Sequence, residues 1–224
     1  MFHVEQNINL LKEYLQRLDI HIDRVQVERL LAYAQLIKEW NRKVHLISKN
    51  DVERVVERHI IPSLFFEKYL SRFSEHGVLR ILDVGTGAGL PGIVLAIVEP
   101  QWKLVLLDSS RKKTLFLRRV CAELEVDAHV VCERYEKFVE GARDEFDWIV
   151  ARAVAPLGEL ITLVRPHLER GVRLLTIKGL DFMDELDGTL LKEFRLSAWR
   201  FDKDLMIEDY LKNKCLVKVE KLYG

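Results

Sequence analysis

Leu82-Asp83-Val84-Gly85-Thr86-Gly87-Ala88-Gly89-Leu90-Pro91-Gly92 is the most informative segment of the chain. The apolar run Val78-Leu79-Arg80-Ile81-Leu82 leads into an acid and then into four glycines. That is the pattern of a buried strand, a tight turn and the start of a helix. Glycine suits positions where φ must be positive or where a ligand must lie on bare backbone. The first turn of a helix offers unpaired N–H groups at the positive end of its dipole. A second apolar run, Trp102 to Leu107, ends in Asp108. An acid at the tip of the second strand, roughly 20 residues past the glycines, is placed to grip a ribose diol. The segment reads as a nucleoside-binding βαβ unit.

The glycine spacing narrows the nucleoside. A dinucleotide fingerprint carries a third glycine for helix–strand packing beside a pyrophosphate, and counted from Gly85 that place is Leu90; Gly87-Ala88-Gly89-Leu90-Pro91-Gly92 satisfies the bare pattern, which has little specificity by itself. What stands here is D-x-G-x-G-x-G, with Asp83 two residues ahead of the glycines. This resembles motif I of the class I S-adenosylmethionine-dependent methyltransferases. An acid beside the loop suits a cofactor that has an ammonium and no phosphate, and it disfavours a nicotinamide oxidoreductase.

Outward from the motif, apolar runs predict strands at 79–84, 103–108, 127–132, 146–152 and 172–178. Helices are expected over Leu90–Val98, Ser110–Leu124 and Pro156–Leu168, with a short turn around Tyr135–Val139. This alternation means an α/β fold, a mostly parallel doubly wound, Rossmann-like sheet with helices on both faces. After a helical stretch near Met183–Phe194, the runs Leu196–Phe201 and Lys214–Leu222 close the sheet as an antiparallel pair. Residues 1–76 read as an N-terminal helical extension and 77–224 as the cofactor-binding domain, the break falling at Ser74-Glu75-His76-Gly77. In the extension, Asp23 is an N-cap with Gln26 at the capping-box place. Val27, Leu30, Leu31, Ala34, Ile37 and Trp40 follow at helical spacing. Another helix is expected from Asn50 or Asp51, with a break near His59–Ile61 imposed by Pro62.

The 224 residues and 49% apolar content suit a globular α/β protein. Three cysteines without a C-x-x-C pair point to neither a disulfide framework nor a zinc site, so no metal is expected. The first residues lack the marks of a signal peptide, and the longest apolar stretch, near Ile93–Val98, is far short of a membrane span. A cytoplasmic monomer is expected. Thirty-five basic residues balance thirty-five acidic ones, which argues against indiscriminate polyanion binding and leaves room for a local patch. Two basic runs qualify: Arg42-Lys43-Val44-His45 with Lys49, and Arg111-Lys112-Lys113 continued by Arg118-Arg119.

In a doubly wound sheet the ligand lies beyond the carboxyl ends of the strands. Those ends carry Asp83-Val84-Gly85, Asp108-Ser109, Glu133-Arg134 followed by Tyr135-Glu136, Arg152-Ala153, and Lys178-Gly179. With Trp40-Asn41, Arg58-His59, Leu90-Pro91-Gly92, Arg152-Ala153-Val154-Ala155 and Leu175-Thr176-Ile177-Lys178-Gly179, the chain resembles the glucose-inhibited division protein B family. These are bacterial methyltransferases acting on guanine N7 of 16S ribosomal RNA. The resemblance covers all but roughly the first 20 and last 25 residues. It departs at His45-Leu46-Ile47 and at Pro62, both in the extension.

The resemblance implies S-adenosyl-L-methionine as cofactor. It implies Gly85 and Leu90 lining the cofactor loop, Tyr135 and Glu136 flanking the adenine, and Arg152 beside the cofactor. From their chemistry, Gly87 and Asp108 join that set. Arg152 is expected on the methionine carboxylate or an RNA phosphate, with a structural pairing to Asp147 or Glu133 as the other reading. Arg42, Lys43, Arg58, Arg111, Lys112, Lys113 and Lys178 are the RNA-binding candidates, with a 30S particle or assembly intermediate as substrate. Guanine N7 carries a lone pair and no proton, so its attack on a sulfonium methyl needs no general base, and no catalytic side chain is assigned. A methyltransferase of another RNA base or of a small molecule, and a non-catalytic cofactor-binding assembly module, are the competing readings.

Overall fold

A computed structural model describes residues 2–74, 77–141, 145–201 and 211–222, with backbone alone at 2–4. Glu75 and His76, at the expected boundary, lie outside them. Five parallel strands form the centre: β1 (Arg80–Val84), β2 (Lys103–Asp108), β3 (Ala128–Cys132), β4 (Trp148–Arg152) and β5 (Arg173–Gly179). β6 (Phe194–Arg200) and β7 (Lys214–Lys221) complete a sheet of order β3-β2-β1-β4-β5-β7-β6, with β7 antiparallel to both β5 and β6. The strand order reverses between β1 and β4, which places the switch point beside the glycine loop.

Strand side chains alternate between two cores, as a two-residue period requires. Ile81, Leu104, Leu106 and Val150 join the cluster under the N-terminal helices, α4 (Gly92–Val98) and α5 (Arg111–Leu124). Leu82, Leu107, Ile149 and Leu174 join the cluster under α7 (Leu157–Leu168). Asp83 and Asp108 share the parity of the first set.

The extension packs on the sheet through named contacts. α1 spans Phe2–Leu18 and α2 spans Arg24–Asn41. The capping box at Asp23 and Gln26 is formed. Gln26 also donates from Nε2 to Ile97 O at 2.7 Å and Val98 O at 3.1 Å. One side chain thereby closes the start of α2 and satisfies carbonyls at the end of α4. Where a break was expected before Pro62, Val56–Ile60 winds as one π turn. The Ile61 N–H reaches Val56 O, and α3 (Ile61–Leu70) follows with Pro62 in its first turn, where a missing N–H breaks no bond.

The tail differs more. The helix expected over Met183–Phe194 is a 3-10 turn at Phe182–Glu185 and a single turn, α8, at Leu190–Glu193. Asp187 Oδ1 accepts the Thr189 and Leu190 N–H groups and Gly188 sits between, so local side-chain bonding displaces a continuous helix.

Candidate active site

The carboxyl end of β1 runs into a loop with φ of +62° at Gly85, +59° at Gly87 and +94° at Gly89, and the Leu90–Pro91 peptide is cis. The left-handed turn at Gly87 admits no ordinary side chain without strain. A Cβ there would approach only Gly85 O at 3.8 Å and Lys113 Nζ at 4.0 Å, so the backbone lies bare against open space. Gly92 is needed for the opposite reason: a Cβ would stand 2.2 Å from Leu106 Cδ2 and 2.6 Å from Asp83 Oδ2.

Asp83 sits beneath this loop and not on its surface. Its side chain is fully buried, and Oδ2 accepts Thr86 Oγ1 at 2.6 Å and the Gly92 N–H at 2.8 Å. The carboxyl therefore braces the loop against the start of α4 and does not face a cofactor ammonium. Burial pushes its pKa up to about 7, more than those two hydrogen bonds lower it. From the other side, Tyr33 of α2 donates to Ala88 O at 2.6 Å. The α2 stripe omitted Tyr33, and no local pattern links it to a loop fifty-five positions away.

Asp108, at the tip of β2, is bonded to the loop at Gly87. Oδ2 accepts the Gly87 N–H at 3.0 Å, Oδ1 accepts the Ser110 N–H at 2.8 Å, and Lys113 Nζ lies 4.0 Å from Oδ2. A carboxylate has about four acceptor sites. Two remain for a ribose diol after those N–H groups are served. The bare backbone at Gly87 and the spare capacity of Asp108 fit an adenosine cofactor.

Gly85 is exposed at the rim, whereas Leu90 is buried among the core side chains of the α4 and α5 face. Tyr135 is buried, its hydroxyl paired with His167 Nδ1 at 2.5 Å, and burial raises its pKa. Its ring thus packs under the sheet, while Glu136 is exposed beside it in α6 (Tyr135–Gly141). Arg152 turns toward the extension: Nη1 donates to His59 O at 3.0 Å, and Nη2 donates to Arg58 O at 2.9 Å and to His59 Nδ1 at 2.7 Å. Asp147 Oδ2 instead accepts the Arg80 N–H, and Glu133 pairs with Lys137. His59 is buried, and burial with the Arg152 charge lowers its pKa to about 3.

The basic candidates divide. Arg42, Lys43, Arg111 and Lys112 are exposed. Arg58 pairs with Asp51 at 2.8 Å. Lys178 departs from the expected RNA role: its amine, 11% exposed as a side chain, donates to Ala155 O at 2.5 Å and to Glu185 Oε2 at 3.0 Å. The strand-tip lysine pattern was readable, but Glu185 comes from a turn whose position only packing determines.

A family model described as "GidB: rRNA small subunit methyltransferase G" matches residues 26–198. A "Ribosomal RNA small subunit methyltransferase G" from Halorhodospira halophila is 39% identical over 176 residues, covering 79% of this chain and 80% of that protein. One of the same name from Burkholderia lata is 36% identical over 203 residues, covering 87% of this chain and 88% of that protein. Among solved structures, magnesium protoporphyrin IX methyltransferase from Synechocystis, with bound SAM, matches at a TM-score of 0.58 and 11% identity, covering 84% of this chain and 96% of that one. The plantazolicin methyltransferase BpumL, in complex with a monoazolic desmethylPZN analog and SAH, matches at 0.57 and 15%, covering 96% and 100%. These two structures share the fold.

Proposed function

The chain belongs to the rRNA small subunit methyltransferase G family, and from that premise we propose that it methylates guanine N7 of 16S ribosomal RNA with S-adenosyl-L-methionine as donor. The observation that supports this most is the open backbone at Gly87 beside Asp108 at the carboxyl rim, with exposed basic residues just past α2 and at the start of α5 at the same end. In this reading the Gly85 and Gly87 backbone and the loop turn at Leu90 seat the methionine portion. Asp108 takes the ribose hydroxyls and the Glu136 N–H the adenine, with Tyr135 fixing the helix start from below. Arg152 acts by tying the β4 tip to the extension.

When bound, the cofactor supplies an activated sulfonium methyl. The chain's own task is alignment, which in well-oriented systems is worth effective molarities of about 10⁵–10⁸ M. Residues 1–76 act as the RNA-side extension and 77–224 as the cofactor domain. The substrate is a 30S particle or assembly intermediate, reached by a monomer in the cytoplasm. No helix among the described residues is long and apolar enough to cross a membrane.

The test is transfer of labelled methyl from S-adenosylmethionine to 30S particles from a strain lacking this protein, with the product base mapped. Label on a guanine N7 of 16S RNA is expected. Binding without turnover, or label on another base or a small molecule, overturns the reading.

A further inference from the structure

The segment linking β4 to α7 is held in an unfavourable conformation from several sides. Ala153 has φ of +56°, exposed at the rim. A side chain in the left-handed region is strained, and such strain persists only where the surroundings over-determine it. Val154 presses on the glycine loop, its Cγ2 lying 2.9 Å from where a Cβ on Gly85 would stand. Ala155 O receives the Lys178 amine, and Glu185 Oε2 receives both that amine and the Leu157 N–H. Register explains the reach: Arg152 of β4 is level with Ile177 of β5, so Lys178 starts one residue further out.

We propose that the Lys178–Glu185 pair is a positioning device for methyl transfer, clamping the strained Ala153–Pro156 segment against Gly85 so that the acceptor base is presented in line with the methyl donor. The inference rests on the methyltransferase reading above. Neither residue touches the reacting atoms. The pair is partly buried, at 11% and 31% side-chain exposure, and its two bonds to the segment's backbone fix Ala155 and Leu157 on either side of Pro156. If the segment relaxes, the cofactor loop keeps its own supports at Asp83 and Tyr33, so the expected defect is in alignment and not in cofactor binding.

Lys178→Met, Glu185→Gln and Ala153→Gly are compared with the unaltered protein on 30S particles in single turnover, alongside cofactor affinity, particle affinity and Tm. A misplacement of about 1 Å costs on the order of 10²-fold in rate, and Lys178→Met is expected to approach that with both affinities within about threefold. The double variant Lys178→Met/Glu185→Gln should be no slower than Lys178→Met alone, because both act through one clamp. Ala153→Gly separates positioning from stability. Removing the left-handed strain should raise Tm, while the loosened segment slows transfer. A merely structural segment would move rate and Tm together or leave rate unchanged. Unchanged rates in all variants, or cofactor affinity falling in step with rate, overturn the inference while leaving the activity in place. An unaltered protein that transfers no methyl overturns the reading and this inference with it.

Discussion

The rings of Trp40 and Phe116 meet at a centroid distance of 5.5 Å and an interplanar angle of 56°, locking the end of α2 against the first half of α5. Further along, Arg29 pairs with Glu125 at 3.0 Å. The two contacts run in opposite chain directions, so α2 and α5 are antiparallel. That packing carries Arg42 and Lys43, just past the end of α2, toward Arg111 and Lys112 at the start of α5. Two basic runs far apart in sequence thus share the cofactor end of the molecule, and the first turn of α5 adds its N–H groups and dipole.

On that face, Arg111→Glu/Lys112→Glu should weaken 16S RNA binding. Each phosphate contact to single-stranded RNA contributes about 0.7 to the slope of log affinity against log salt, so loss of two flattens it by about 1.4. Cofactor affinity should hold, because Lys113, not these two, neighbours Asp108. Filter binding across a salt series checks this. An unmoved slope would assign the face to solvent.

The glycine loop separates binding from stability. Gly87→Ala adds a Cβ to open space in a left-handed turn, at roughly 1–2 kcal/mol, and should block the cofactor while the fold survives. Gly92→Ala drives a Cβ into Leu106 and Asp83, and overpacking of this kind costs typically about 1–3 kcal/mol. Calorimetry with S-adenosylmethionine and urea unfolding on both variants distinguish the two effects. Equal losses in both assays for both variants would contradict the assignment.

Asp83 gives a pH dependence with a defined sign. Its folded pKa, about 7, lies above the ordinary carboxylate value because the group is buried. Between about pH 4 and 7 the folded state therefore holds the proton that the unfolded chain releases. Its contribution is fully present below about pH 4 and is lost as pH rises through 7, by up to about 4 kcal/mol. Asp83→Asn should flatten that part of the urea-derived stability curve against pH. An unchanged slope would mean that Asp83 is ionised throughout.

His59 serves as an acceptor for Arg152 and stays neutral, its pKa lowered to about 3 by burial and by that guanidinium. The unfolded chain binds a proton below about pH 6.5 that the folded chain refuses, so its contribution is present above that pH and is lost as pH falls toward 3. In transfer to N7 it has no proton to remove. His45→Ala and His59→Ala should each keep the single-turnover rate within about tenfold, or 1.4 kcal/mol of barrier. His59→Ala should lose stability as well. A rate loss of several orders of magnitude with binding intact would point to acid–base chemistry.

Much of this fold was readable residue by residue. The five parallel strands fall within one or two positions of their apolar runs, because a two-residue period and a bounding turn are local properties. The Asp23–Gln26 capping box and the antiparallel closure by β6 and β7 followed for the same reason. The Met183–Phe194 helix failed where Asp187 found closer hydrogen bonds than a helix offers.

At the site, the glycine turn, the acid at the tip of β2 and the strand tips that line the rim were legible residue by residue, since backbone conformation and strand polarity dictate them. Which way each charge points was set by packing between distant segments. Asp83 turned inward because the loop brings the Thr86 hydroxyl and the Gly92 N–H onto it. Arg152 crossed to Arg58 and His59, and Lys178 found Ala155 and Glu185. A strand tip specifies where a long side chain begins. Its end goes to the carbonyls and carboxylates that packing brings within reach, and those come from segments up to ninety-four positions away.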